Sequence, residues 1–143
     1  MFSYYHPITV RYRDLDPQGH VNNVVYLTYL ESARLGYYQC VGFYHPGPDA
    51  LTGLVVVRNE IDYLAPILLG DELSVGLRVE RLGTKSITFA FQMASSSEER
   101  LLAQGKSVMV VYDNNTQKGV PIPLIWREDI IQFEKENGNN DLT

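Results

Sequence analysis

The sequence predicts an α+β fold in which a five-stranded antiparallel sheet curls around one long central helix, and three observations carry that prediction. Between Asn22 and Val41, the residues Val24, Val25, Leu27, Leu30, Ala33, Leu35 and Val41, with Tyr26, Tyr29, Tyr37 and Tyr38, cover nearly every side of a helix. A helix that is apolar all round is buried rather than laid on a surface. Four later runs alternate with period two, the pattern of half-buried antiparallel strands. No repeat or low-complexity linker divides the 143 residues, so 1–136 reads as one domain and 137–143 as a polar, disordered tail.

Each element has its own signals. A strand-like segment leads into the long helix, where Asn22 or Asn23 can cap the first turn, Glu31 and Arg34 sit one turn apart, and Gly42 suits the C-terminal stop. Leu73, Val75, Leu77 and Val79 alternate with polar neighbours, as do Ile87, Phe89, Phe91 and Met93. The run 54–64 is more apolar at its start, and Asn59 interrupts a row (Val55, Val57, Ile61, Tyr63) expected to face the core. The run 101–112 carries Ala103, Gly105 and Ser107 on one face, which leaves room for the helix or a ligand. Turns are expected at Pro66 with Gly70-Asp71, at Gly83, at Ser95 to Glu99 and at Asp113 to Gly119. A final helix spans 124–136.

Composition narrows the function. Twelve basic against seventeen acidic side chains give a net charge of −5, and no basic stripe is present, which argues against nucleic acid as a partner. Cys40 is the one cysteine, so an intramolecular disulfide is excluded; it reads as a small buried apolar residue. The opening MFSYYHPITV lacks the basic start and apolar run of a signal peptide, and no stretch is long enough for a membrane span. A cytoplasmic location is therefore expected. His6, His20 and His45 have no metal-ligand spacing, and no GxSxG elbow, P-loop or dinucleotide fingerprint occurs. No metal and no cofactor is expected.

The stretch RYRDLDPQGHVNNVVYLTYLESAR, residues 11–34, sets Asp14, Asp16, His20, Asn22 and Asn23 at the mouth of the buried helix. It resembles the opening motif of the hotdog thioesterases of the 4-hydroxybenzoyl-CoA and YbgC-like group. EIDYLAPILLGDEL at 60–73 and KGVPIP at 118–123 extend the likeness over about the first 125 residues. The resemblance implies a hotdog fold and an acyl-CoA thioesterase, with an acyl-carrier-protein thioester as the alternative substrate. It assigns the catalytic carboxylate to Asp16 and a supporting role to Tyr12. Several YbgC-like members have His where Asn23 stands, whereas GHVNN resembles a subgroup that includes thioesterases for longer acyl chains. The resemblance also implies a homo-oligomer, dimer or tetramer, joined across a two-fold axis.

The chemistry of a thioester suits such a motif. Its carbonyl is weakly stabilised by resonance and its leaving thiolate is a modest base, so an oxygen nucleophile, or a base to make one from water, and donors for the oxyanion suffice. Asp16 can attack or orient water; the free amides around Asn23 and Val24, at the positive end of the helix dipole, can hold the oxyanion. His20 reads as a proton carrier or a turn residue, Asp14 as structural or solvated, and Asp16 on its own as an Asx-turn ahead of Pro17-Gln18-Gly19. Asn59 is a candidate substrate contact or a satisfied buried amide, and Arg81 and Lys85, flanking Gly83, are candidate partners for CoA phosphates. A nonenzymatic acyl-thioester sensor is the rival from another class, and a hotdog dehydratase lacks its His-plus-acid pair here.

Overall fold

The computed structural model describes residues 1–96 and 100–143; of the turn expected at Ser95 to Glu99, residues 97–99 lie outside the described residues. Strand β1 (Tyr4–Thr9) is followed by a one-turn 3-10 helix at Tyr12–Asp14 and by α1 (Asn23–Val41). Then come β2 (Thr52–Tyr63), β3 (Glu72–Leu82), β4 (Ser86–Ser95), β5 (Leu101–Asp113), a two-residue β6 (Lys118–Gly119) and α2 (Leu124–Glu136). All pairings are antiparallel, in the order β1-β3-β4-β5-β2, with β6 an added rung on β5.

The apolar girdle of α1 does what its composition requires. Leu30, Ala33 and Tyr37 are fully enclosed, as are Leu77, Val79, Ile87 and Phe89 from the sheet, and the Tyr37 ring stands edge-on to Phe89 and Phe133 at 5.2 and 5.5 Å. Each such large side chain contributes about 1.5–3 kcal/mol on burial. The helix stops at Gly42, whose φ of +85° is the left-handed conformation that glycine takes without strain. Of the sheet, α1 makes its closest backbone approach to β3 and β1, and it meets the far-edge strand β2 through side chains, Tyr26 against Tyr63.

Three local expectations need correcting. Cys40 is exposed, on the side of α1 away from the buried Tyr38. Glu31 and Arg34 form no ion pair among the described residues; Arg34 instead turns inward and donates to Ser107 Oγ at 3.1 Å. On β2 the row expected to face the core is broken by a register shift between Val56 and Arg58. Leu54 and Val56 therefore share the helix-facing side with Asn59, Ile61 and Tyr63, while Val57 is displaced from that row. Asn59 is exposed rather than a buried amide. At the other end of the chain, Asn139 donates to the Val79 carbonyl at 2.8 Å and Leu142 is buried.

Candidate active site

Residues 11–22 form a compact loop that ends at the helix mouth, and its two aspartates face opposite ways. Asp14 is buried. Its Oδ2 accepts from the Arg11 amide at 2.9 Å and from the Tyr29 hydroxyl at 2.8 Å, and its Oδ1 takes a longer contact with the Arg11 guanidinium. Burial alone would raise its pKa, but these donors outweigh it and hold the carboxyl below the usual aspartate range. The Asp14 carbonyl also accepts from the Asn22 amide at 2.8 Å, so this residue ties the start of the loop to its end.

Asp16 sits half-buried two residues on. Its Oδ1 accepts from the Gln18 and His20 amides at 2.9 and 3.2 Å, which is the Asx-turn the sequence suggested. Main-chain bonds join Asp16 N to His20 O at 2.7 Å and Gly19 N to Asp16 O at 3.0 Å. Gly19 adopts φ +83°, a conformation that favours glycine at this turn. The second oxygen, Oδ2, accepts no hydrogen bond among the described residues. The turn thus occupies one carboxylate oxygen of Asp16 and leaves the other without a protein donor among the described residues.

The helix mouth is organised by Asn22, not Asn23. Asn22 is the N-cap, and its Oδ1 accepts from the Val24 amide at 3.1 Å. That bond engages the Val24 amide, one of the two expected oxyanion donors, and leaves the Asn23 amide as the donor without a protein acceptor among the described residues. Asp16, His20, Asn23, Tyr26, Tyr63 and Ala65 line a cleft of about 460 Å³. The Tyr63 hydroxyl donates to the Asn23 carbonyl at 3.2 Å and its ring meets Tyr26 edge-on at 4.9 Å, so the end of β2 fixes the first turn of α1. Sequence reasoning missed Tyr26 and Tyr63 as cleft residues, although Tyr63 stands inside the quoted EIDYLAP segment.

Four expected residues lie away from the cleft. Tyr12 is 81% exposed, because the strand ends at Thr9 and the 3-10 turn carries its ring outward. Asn59 lies four residues from Tyr63, about 13 Å along β2. Arg81 and Lys85 are exposed on the β3–β4 hairpin, whereas Leu68, which bridges to His20, precedes the opposite end of β3; the length of β3, about 30 Å, separates them. Among the described residues no group of three or more His, Cys, Asp or Glu side chains can hold a metal ion.

Residues 10–132 match the family model of the thioesterase-like superfamily. The chain belongs to that superfamily. Its enzyme class is thioester hydrolase, and its fold is the hotdog fold the motif implied. The chain is 30% identical over 128 residues to the long-chain acyl-CoA thioesterase FadM of Escherichia coli strain K12, covering 90% of this chain and 97% of the relative. It is 26% identical over 121 residues to the acyl-CoA thioester hydrolase YbgC of Escherichia coli O157:H7, covering 82% and 87%. A solved thioesterase from Thermus thermophilus, complexed with coenzyme A and zinc, shares 38% identity at a TM-score of 0.80 over 94% of this chain and 96% of that one.

Proposed function

We propose that the protein is an acyl-CoA thioesterase in which Asp16 supplies the oxygen chemistry and the Asn23 amide binds the oxyanion. The observation that carries this reading is the divided duty of Asp16: Oδ1 is fixed by two main-chain amides while Oδ2, unbonded among the described residues, belongs to a residue lining the cleft at the helix mouth. Water adds across the C–S bond, giving a carboxylic acid and a free thiol. Asp16 either takes a proton from the attacking water, or attacks the carbonyl to form an anhydride that water then opens. In both routes the carbonyl oxygen gains charge, and an amide at the helix N-terminus stabilises that charge without reorganising. The side chains of Asn23 and His20 line the same cleft and are placed to orient water or relay the released proton.

CoA is the carrier we favour, because the named relatives act on acyl-CoA and one solved relative was captured with coenzyme A. A homodimer belongs to the same proposal. β2 is a twelve-residue edge strand with exposed Val55, Val56 and Val57, and a long apolar edge invites pairing with a second copy. Arg81 and Lys85 stand too far from their own chain's cleft, so any part they take in binding CoA phosphates is across the dimer. Hydrolysis measured across short, long and aromatic acyl-CoAs, with matching acyl-carrier-protein thioesters, tests the assignment. Turnover of acyl-CoA in preference to the carrier-protein form is expected; binding of every thioester without turnover would replace the enzyme with a sensor.

A further inference from the structure

We propose that a second cavity, beside the middle of α1, is a carboxylate subsite that receives the far end of an acyl chain bearing a terminal carboxylate. The assignment rests on the thioesterase reading for the chain's other end. The cavity, about 260 Å³, is lined by Glu31, Arg34, Tyr38, Tyr44, Val56 and Met109, among others. Arg34 is only 5% exposed, and its guanidinium makes one hydrogen bond, to Ser107 Oγ. No carboxylate stands within ion-pair distance of it among the described residues; Glu31, at the rim, is exposed. A guanidinium carries five donors and keeps its charge, and enclosing it without an anion is costly. The Tyr38 hydroxyl, beside Arg34, is likewise buried without a hydrogen-bond partner among the described residues. Two donors in need of an acceptor, set among apolar walls, fit an alkyl chain that ends in a carboxylate.

The position suits the end of a chain that starts at Asp16. Arg34 follows Asn23 by eleven residues, which places it about 16 Å along the axis and nearly on the same face of α1. Opposite, the helix-facing row of β2 runs from Tyr63 at the cleft through Ile61 and Asn59 to Val56 at the cavity. Asn59 pairs in register with Ser107, the residue that holds Arg34. That row spans the distance between the cleft and the cavity, and the proposed acyl chain would lie along it.

The test uses paired acyl-CoAs of equal length, with and without a terminal carboxylate, on the wild type, Tyr38→Phe and Ser107→Ala. Tyr38→Phe keeps the ring against Phe43 and Tyr44 and removes only the hydroxyl. The wild type should favour the carboxylated chain by at least about tenfold in kcat/KM, the size of one charged hydrogen bond. Tyr38→Phe should lose most of that ratio while hydrolysing the plain chain normally, and Ser107→Ala, which removes the bond holding Arg34 inward, should lower the ratio in part. A free alkanedioic acid, followed by calorimetry, provides a readout independent of turnover. Hydrolysis of both chains with equal kcat/KM would overturn the subsite and leave the thioesterase standing. Tyr38-dependent binding of the diacid, with no acyl-CoA hydrolysed, would support the carboxylate site and remove the thioesterase reading. A Tyr38→Phe effect on dimer dissociation with no effect on the ratio would overturn the subsite, by assigning the cavity to a second copy.

Discussion

The two sides of the loop 11–22 use the same side chain for opposite ends. On the inner side Asp14 is enclosed, with Arg11 and Tyr29 directed at its carboxylate; on the outer side Asp16 gives one oxygen to the turn and belongs to the cleft. The difference lies in how many of the four acceptor positions of a carboxylate the protein fills. An enclosed carboxylate with three of those positions taken is a fastener; one with two taken, in a cleft shared with an unbonded helix amide, is the one we propose for chemistry.

The sharpest way to break this comparison is to neutralise each carboxylate in turn. Asp16→Asn keeps an acceptor for the Gln18 and His20 amides, so the turn should survive while kcat falls by about 10²–10⁴, the usual scale for loss of a general base. Asp14→Asn should do the reverse, costing about 1.5–3 kcal/mol of stability for charged hydrogen bonds in a closed site and leaving kcat of the folded fraction near normal; chemical denaturation with parallel assays separates the two. Since the folded-state pKa of Asp14 is lowered, its contribution is full above the ordinary aspartate range and disappears as pH falls through the folded value. In Asp14→Asn, denaturation midpoints should lose that acid-side dependence.

Smaller changes sharpen the role of the helix mouth. Asn22→Ala removes the cap on Val24 and should cost about 1 kcal/mol. Tyr63→Phe removes one bond to the Asn23 carbonyl, worth about 0.5–1.5 kcal/mol, and should lower kcat only slightly, provided the first turn stays in register. A third carboxylate extends the contrast. Glu134 is fully enclosed, accepting from Tyr37 and from the Val79 amide with Oε1 while Oε2 has no partner among the described residues; burial is the chief influence and raises its pKa despite those bonds. With the folded value above the unfolded one, the folded state holds the extra proton between them. Stability should therefore decline as pH rises through that interval, and Glu134→Gln should flatten the decline in thermal melts.

Much of this architecture is legible in the residues. The all-round apolar character of 22–41 and the alternation in β3 and β4 are direct consequences of burial, so periodicity reveals them. The face of β2 is not legible, because Leu54-Val55-Val56-Val57 has no polar residue to mark the displaced position of Val57. The 3-10 turn at Tyr12–Asp14 is too short to have a period, and its cause is the Arg11 amide reaching Asp14, a contact between neighbours of ordinary type. Spacing puts Arg34 one turn from Glu31 and nothing more; Ser107, far along the chain, turns it inward. Tyr63 reaches the cleft through the pairing of β2 with β5 and the position of α1, which no local pattern encodes.

The central claim, that Asp16 acts on the thioester while the fold depends on Asp14, is tested most directly by measuring turnover and ligand affinity together in Asp16→Asn. The variant should bind a nonhydrolysable acyl-CoA analogue with unchanged Kd and melt at an unchanged temperature while kcat falls by about 10²–10⁴. Near-normal kcat, or affinity and melting temperature lost together with activity, would contradict the account.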